Sequence, residues 1–264
     1  MIASARWRES LARAVDGLLA GDGPFDRLHA AGEVASTQDE ARTFACGRPG
    51  LVVVAERQIA GRGRQQRAWH DAPDASLAMS VCVPPRTAAG LSIAVGLGVR
   101  NGLQELVSGV PLGLRWPNDV VERPRRDSGP GRKLAGVLIE AAGGVAIVGI
   151  GVNVGHAGGD WPPDLAGVAV SLRQLGGDAT RPDAAAAVLR GIAASLALGE
   201  DALRRAWREH GTLLHQRCEF LVDGRPVRGL VADIDAQWRL VLEREDGARA
   251  RIDAAHAHLV SPRP

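Results

Sequence analysis

Residues 133–155, KLAGVLIEAAGGVAIVGIGVNVG, decide the fold of this chain. The stretch consists of two apolar runs that are separated by Gly143 and Gly144. Two glycines between runs rich in valine and isoleucine are typical of the two-residue turn in a β-hairpin. The sequence therefore predicts two antiparallel strands at this point, and the first of them begins at Lys133.

The stretches on either side of the hairpin predict a mixture of helices and strands. Apolar residues at every third or fourth position indicate helices, and β-branched runs bounded by proline or glycine indicate strands. Ser36 and Thr37 are both N-cap candidates, and Glu40 lies three residues after Thr37, as in a capping box. The Pro- and Gly-rich segment 123–131 predicts a polar hairpin. The predicted helices span 5–20, a short segment after 36, 88–107, 171–177, 182–198 and 200–211, and the predicted strands span 51–58, 76–83 and 112–122, with an interruption at Pro117.

The sequence pattern changes at about residue 216. Four or five short apolar runs follow, separated by turn signals at 223–224, 235–236 and 246–247. Closely spaced short strands of this kind are typical of a small β-barrel. We therefore expect a catalytic domain over 1–215 and a small barrel over 216–264. The predicted fold class is α+β, with a mixed sheet, helices mainly on one face, and an SH3-like barrel at the C-terminus.

Composition narrows the function classes. The chain has 264 residues, of which 45% are hydrophobic and 23% charged, as in globular proteins. Its net charge of +2 gives no strong field for nucleic acid or membrane. The three cysteines fit neither a disulfide framework nor a zinc pattern. Neither a signal peptide nor an apolar run of roughly 18 residues is recognisable, so we expect a cytoplasmic protein without a membrane partner.

Lys133 is the only lysine among 32 basic residues, and all the others are arginine. A bias toward arginine would be expected to act at this position too. An ammonium is a compact point charge, whereas a guanidinium is a wide planar fork. The alternative is a lysine that begins a strand and extends into water. The composition favours a site that requires a compact charge.

The loop GRGRQQR, residues 61–67, combines glycines with arginines between two predicted strands. Glycine lets the backbone approach a ligand, and arginine offers paired donors to phosphate or carboxylate. The loop lacks the ending of a Walker loop and the GxGxxG fingerprint. A solvated basic loop explains these residues equally well.

RWPNDVV, residues 115–121, and GIGVNV, residues 149–154, are weaker signals. Trp116 brings a flat apolar surface, and Asn118 and Asp119 lie where a strand is interrupted. Pro-Asn-Asp is also ordinary turn chemistry. The small residues of GIGVNV predict a strand face shared with a ligand, and a glycine at a bulge explains them nearly as well.

Taken in order, these stretches resemble the biotin–protein ligase family. The family has a Ser-Thr-Asn-type motif, then GRGRxGRxW, KWPND, KLxGIL-E and GxGxN, and a small C-terminal barrel. This chain reads STQDEA, GRGRQQRAW, RWPND, KLAGVLIE and GIGVNV in the same order, from about residue 26 to its end. The resemblance implies that biotin and ATP react, with Mg²⁺ as the metal ion, to give biotinyl-5′-AMP and pyrophosphate. The biotinyl group is then transferred to a lysine of a biotin carboxyl carrier protein.

The resemblance also assigns roles to residues at matching positions. It implies that Lys133, Arg64 and Asp119 are catalytic, with Asp119 helping to deprotonate the acceptor amine. The implied biotin-binding residues are Ser36, Thr37, Gln58, Gly61, Arg62, Lys133, Gly136 and Gly151. The implied ATP- or adenylate-binding residues are Arg64, Arg67, Trp116, Asn118, Lys133 and Asn153.

Some positions depart from the family pattern. Gln66 replaces a glycine of GRGRxGR, and its side chain would stiffen the loop or exclude a positive φ. Arg115 replaces the lysine of KWPND, and Gln38 replaces the asparagine of the first motif. No aromatic residue for adenine stacking stands near residue 169. The resemblance implies a monofunctional enzyme that does not bind DNA, and it allows a homodimer.

Three other functions stay open. A lipoate–protein ligase or octanoyltransferase shares the catalytic fold, although GRGRxxRxW and WPND favour biotin. A non-catalytic RNA-binding module would use the arginine loop and the barrel, but the weak net charge argues against it. A degenerate family member would bind its ligands without turnover, and Gln66 keeps that alternative open.

Overall fold

The computed structural model describes residues 3–123 and 131–263. Its first sheet contains seven strands and its second sheet five. The helices are α1 Ala5–Leu19, α2 Thr37–Ala45, α3 Ala88–Gln104, α4 Arg181–Leu196 and α5 Glu200–His210. The strands of the first sheet are β1 Arg27–Val34, β2 Leu51–Gln58, β3 Ser76–Val83, β4 Leu112–Arg115, β5 Asp119–Glu122, β6 Lys133–Ala142 and β7 Val145–Asn153.

The predicted hairpin forms the β6–β7 pair. The two strands are antiparallel, and Gly136 faces Gly151 across the pair. Gly143 and Gly144 form the turn with φ of 55° and 86°, values that glycine adopts without strain. The strand order of the sheet is β1-β2-β3-β7-β6-β5-β4, in which only β1 and β2 are parallel. This hairpin therefore lies near the centre of the sheet.

Helices cover the two faces of the sheet unequally. α1, α3 and α4 pack on one face and bury the main core, in which Val148 and Ile150 of β7 take part. α2 packs on the other face through Ala41 and Ala45, against Ile147 of β7. Successive residues of a strand point to opposite faces, so the glycines of β7 face the side of α2. The predicted mixed sheet with helices mainly on one face is confirmed.

The second sheet is antiparallel and has the order β11-β10-β9-β8-β12. It packs on the first part of the chain through Trp116, whose ring meets Phe220 edge-on at 6.0 Å and whose Nε1 donates to the Trp238 carbonyl. The predicted α+β class is thereby confirmed, whereas a domain boundary near residue 215 stays a prediction. The strands are β8 Arg217–Val222, β9 Arg225–Ile234, β10 Leu240–Glu243, β11 Arg249–Ile252 and β12 Ala257–Arg263.

Two local predictions are wrong. Segment 112–122 is not one interrupted strand, because the chain reverses after Arg115 and β4 pairs antiparallel with β5. The capping box is also absent, since Ser36 is the N-cap of α2 and accepts from the backbone N–H of Gln38. Glu40 instead pairs with His29 at 3.3 Å.

Two further predictions concern the polar segment 123–131 and the presence of a membrane-spanning helix. The polar hairpin predicted over 123–131 falls largely on residues 124–130, which lie outside the described part of the chain. Among the residues that the structure describes, every helix is too short or too polar to cross a membrane.

Candidate functional site

A cavity of about 580 Å³ opens on the α2 face of the first sheet. A volume of several hundred Å³ suits a small-molecule ligand. Its walls come from the start of α2, the loop after β2, the β4–β5 turn, strands β6 and β7, the segment 161–169 and strand β12. All the predicted site residues line this cavity except Ser36 and Gly61.

Buried polar groups form one side of the cavity. The backbone N–H of Thr37 donates to Oε1 of Gln58 at 2.9 Å, and the Thr37 hydroxyl accepts from Ser80 at 2.8 Å. Ser36 is also buried, but its hydroxyl caps α2 and does not face the cavity. Buried polar groups that are bonded to each other are fixed in position. This side can therefore present oriented donors and acceptors to a ligand.

The ring of Trp69 lies against the glycines of the central hairpin. A Cβ on Gly151 would overlap this ring, and a Cβ on Gly136 would lie 3.2 Å from it. Gly61 fixes the ring from the loop, because its carbonyl accepts from the backbone N–H of Trp69 at 2.9 Å. The two glycines thus make room for an aromatic side chain of the same protein. Trp69 ends the motif GRGRQQRAW, but it was not among the predicted site residues.

Three charges meet at the first residues of β5 and β6. The ammonium of Lys133 lies 2.7 Å from one Asp119 oxygen, and Arg115 donates to the other at 3.0 Å. Burial of Asp119 opposes its ionisation, but the charges of Lys133 and Arg115 outweigh burial and hold the pKa of the carboxyl below its usual range. Lys133 also lies 5.3 Å from the centre of a Trp69 ring. The cluster carries one net positive charge and faces the cavity.

Arg62 is the first arginine of the loop, and its side chain reaches α2. Its guanidinium forms two hydrogen bonds of 2.8 Å with the carboxylate of Asp39 in the first turn of α2. Side-chain hydrogen bonding to Arg62 lowers the pKa of Asp39, and the same bonds raise the pKa of Arg62. The side chain of Arg62 is therefore already paired with a carboxylate in this structure.

Arg64 ties the loop to the second sheet. Its guanidinium donates to the backbone carbonyls of Ala254 and Ala257. Burial lowers the pKa of Arg64, which the charge of Asp119 partly offsets. Arg67 also lines the cavity. Gln65 takes the left-handed conformation with φ of 54°.

Three more of the predicted nucleotide-binding residues, Trp116, Asn118 and Asn153, line the cavity. Asn118 donates to the Val137 carbonyl at 2.7 Å, which joins the β4–β5 turn to β6. Asn153 donates to the carbonyls of Lys133 and Val170, both at 3.1 Å. Trp116 is almost fully buried, and it lines the cavity while bonding to the second sheet. Asn118 and Asn153 therefore shape the backbone around Lys133.

An aromatic pair stands near the same end of the cavity. Trp161 lines the cavity and stacks on His156 with ring centres 4.1 Å apart. His156 is fully buried, and neither ring nitrogen has a hydrogen-bond partner. Burial lowers the pKa of His156, and the neighbouring His70 lowers it further. Trp161 lies eight positions before Ala169 and was not among the predicted site residues.

Comparisons with known proteins agree with this geometry. The Biotin/lipoate A/B protein ligase family matches residues 33–156. The biotin–[acetyl-CoA-carboxylase] ligase of Mycobacterium tuberculosis is 36% identical over 206 residues, which are 74% of this chain and 73% of that protein. The enzyme of the same name from Paracoccus denitrificans is 31% identical over 83% of this chain and 95% of its own length.

A solved structure shares the architecture as well. The biotin protein ligase from Aquifex aeolicus, in complex with biotin and ATP, superposes with a TM-score of 0.78 at 26% identity. The superposition covers 90% of this chain and 100% of that one. These similarities confirm the resemblance that the motifs indicated: the chain belongs to the biotin protein ligases of the biotin/lipoate A/B protein ligase family.

Proposed function

We propose that this protein joins biotin to ATP and transfers the biotinyl group to a lysine of a biotin carboxyl carrier protein. The observation that carries the proposal is the ammonium of Lys133, which lies in the cavity between Trp69 and the Asp119 carboxylate. The names of the relatives and the ligands bound to the Aquifex aeolicus enzyme support the same reaction.

Biotin would lie across the hairpin, with its ureido ring at the buried polar side. Thr37 and Gln58 supply the fixed hydrogen-bonding groups there, together with the backbone of Arg62, whereas Gly61 does not line the cavity. The apolar part of the ligand would contact Trp69 and the floor of the cavity at Gly136 and Gly151. The carboxylate of the valeryl chain would then reach Lys133.

The first step joins two anions. A carboxylate oxygen of biotin attacks the α-phosphorus of ATP, the bond to the β-phosphate oxygen breaks, and pyrophosphate leaves. A carboxylate is ionised at neutral pH, so this step requires no general base. The protein must instead hold the reactants in contact and stabilise the developing negative charge. Lys133, Arg64 and Arg67 supply positive charge, and Trp116, Asn118 and Asn153 lie on the nucleotide side.

The second step transfers the acyl group. The acceptor amine attacks the acyl carbon, the bond to the phosphate oxygen breaks, and AMP leaves. Asp119 is ionised, because its pKa lies below the usual range, and it would accept a proton from the amine. A carboxylate of low pKa is a weak base, so its contribution would come mainly from its position.

Mg²⁺ would be held mainly by the substrate. Asp119 is the only carboxylate that lines the cavity among the described residues, and two cations already pair with it. Within the described chain no group of three side chains suited to a metal was found. Magnesium often keeps several waters and binds through phosphate oxygens. The ion would screen charge on the triphosphate, and the protein would supply the remaining cations.

A cytoplasmic location, a homodimer and the lack of DNA binding stay predictions.

Biotin-dependent exchange of pyrophosphate into ATP tests the proposal. The purified protein is assayed with biotin and with lipoate in parallel, and then with a carrier domain as acceptor. We expect exchange with biotin only, and labelling of one carrier lysine. Exchange with lipoate in place of biotin would overturn the choice of substrate, and binding of biotin without exchange would show a degenerate enzyme.

A further inference from the structure

An ion pair between Arg62, at the edge of the cavity, and Asp39, outside it, holds the start of the arginine loop. Both nitrogens of the Arg62 fork donate to Asp39, at 2.8 Å each. Two parallel bonds of this kind fix orientation as well as distance. Asp39 also lies in the first turn of α2, where the helix dipole favours a carboxylate. The pair is therefore better defined than a single contact between long side chains.

A second acidic residue, Glu140, and a second basic residue, Arg42, extend this ion pair. Glu140 on β6 lies 2.6 Å from Arg42 and 3.7 Å from Arg62, and Arg42 lies 3.7 Å from Asp39. The four side chains thus alternate in charge between the loop, α2 and the end of β6. An exposed ion pair by itself contributes little, but several charges with good geometry contribute more. This network fixes the loop relative to two elements of the fold.

The network connects segments that form the polar side of the cavity. Asp39 lies two residues after Thr37, and Arg62 follows Gly61. Thr37 contacts Gln58, and Gly61 bonds to the backbone of Trp69. A shift of the Arg62–Asp39 pair would therefore move the loop away from these groups. Neither Asp39 nor Glu140 lines the cavity, whereas Arg62, which contacts both, does.

We propose that Asp39 is a positioning residue, which holds loop 61–67 closed over bound biotin and its adenylate through Arg62. The proposal rests on the proposed function, since the loop must open for substrates and then retain a reactive anhydride. Arg64 fastens the far part of the loop to the second sheet, and Asp39 fastens its beginning to α2. Loss of Asp39 would leave the loop attached at one side only.

The test compares Asp39→Asn with a matched control. Asp233 forms an equivalent bidentate pair with Arg208, at 2.8 and 2.9 Å and with similar exposure, outside the cavity. We expect Asp39→Asn to speed biotin dissociation about two- to fivefold, in the range for exposed pairs with good geometry. Free biotinyl-adenylate in solution should rise by a similar factor, while the turnover number of pyrophosphate exchange stays within twofold of wild type. Asp233→Asn should leave all three quantities unchanged.

A double variant tests whether the effect acts through the pair. If Asp39 works only by holding Arg62, then Arg62→Gln combined with Asp39→Asn should release no more adenylate than Arg62→Gln alone. Asp39→Glu keeps the carboxylate, so it should reverse at least half of the adenylate release that Asp39→Asn causes. Additive losses in the double variant would overturn the proposal.

A ligand-free measurement separates this proposal from the proposed function. Trypsin cleaves after arginine, and the loop contains Arg62, Arg64 and Arg67. Cleavage within the loop should be faster in Asp39→Asn than in wild type or Asp233→Asn, with no biotin present. Equal cleavage rates in all three proteins would overturn the positioning role. A wild-type protein without biotin-dependent exchange would contradict the proposed function, and the cleavage rates would still decide the role of Asp39.

Discussion

The ammonium of Lys133 lies 2.7 Å from the carboxylate of Asp119, and the two residues stand on neighbouring strands of the same sheet. Arg115 takes the second carboxylate oxygen, so two cations share one anion. A buried charge is costly unless it is paired, which explains why Asp119 stays ionised beside them. The remaining positive charge is held in place before any ligand arrives, and it can attract a carboxylate or a phosphate.

Replacing Lys133 by arginine keeps the charge and changes its shape. The side chain packs over Gly136, where even a Cβ would lie 2.9 Å from Nζ, so a wider guanidinium has little room. We expect kcat for biotin-dependent pyrophosphate exchange to fall about tenfold to a hundredfold, somewhat less than when an electrostatic donor is removed entirely. The neighbouring Arg132→Lys, a change in the opposite sense at a half-buried position outside the cavity, should keep wild-type exchange. Normal turnover in Lys133→Arg would refute the requirement for a compact charge.

Gly151→Ala tests the contact between Trp69 and the hairpin. The added methyl group would overlap the indole ring, which must then move into the space proposed for biotin. Overpacking of this kind costs about 1–3 kcal/mol of stability. We expect biotin affinity to fall about tenfold, since displacement of a positioning group by roughly an ångström costs as much or more. Isothermal titration with biotin measures the loss.

Gly17→Ala is the matched control for that change. Gly17 lies in α1 with no neighbouring atom within 4 Å of a new Cβ, and its φ is ordinary. Alanine should raise the free energy of unfolding by about 0.5–1 kcal/mol in a helix interior and leave biotin affinity unchanged. Equal affinities in Gly151→Ala and Gly17→Ala would show that the ring does not border the ligand.

Local sequence signals predicted the central hairpin and most helices, because the Gly143–Gly144 turn and the apolar periodicity act over short distances. The order of the motifs predicted the family, and nearly all of the site residues that it implied line the cavity. The reversal between β4 and β5 was missed, since RWPND was interpreted as an interruption within one strand.

Contacts between distant parts of the chain were not predictable in the same way. The resemblance assigned Arg62 to biotin and Arg64 to the nucleotide, whereas in the structure Arg62 pairs with Asp39 and Arg64 donates to carbonyls some 190 positions away. Arginine donates to carboxylates, carbonyls and phosphates alike, so residue type alone does not identify its partner. The small residues of GIGVNV did predict a strand face shared with a ligand, but not that Trp69 of the same chain lies against it.

Arg64→Gly removes the link between the loop and the second sheet. Because the guanidinium donates to two backbone carbonyls there, its loss should let the adenylate escape before transfer. We expect biotinylation of an added bystander protein to rise at least about tenfold. Self-labelling should stay confined to Lys133 and the N-terminal amine, since the chain has no other lysine. Mass spectrometry identifies the sites, and Arg64→Ala separates loss of the guanidinium from added backbone freedom. Unchanged bystander labelling in both variants would contradict a retaining role for Arg64.

Protonation of His156 should destabilise the protein at mildly acidic pH. The ring is fully buried against Trp161 without a hydrogen-bond partner, so burial and the nearby His70 lower its pKa below about 6.5, while Asp160 opposes this shift. The folded state therefore favours the neutral ring. The stability from this site is fully present above pH about 6.5 and is lost as pH falls from there through the folded-state pKa.

His156→Phe keeps an aromatic ring against Trp161 and removes the titration. The denaturant midpoint of wild type should therefore fall more steeply between pH about 7 and 5 than that of the variant. His210 also has a lowered pKa, caused first by burial, so the difference between the two profiles isolates His156. KM for ATP should rise as pH falls through the folded-state pKa of His156, because protonation would disturb the wall of the cavity at Trp161. Parallel pH profiles for wild type and His156→Phe would show that the buried ring takes up no proton in this range.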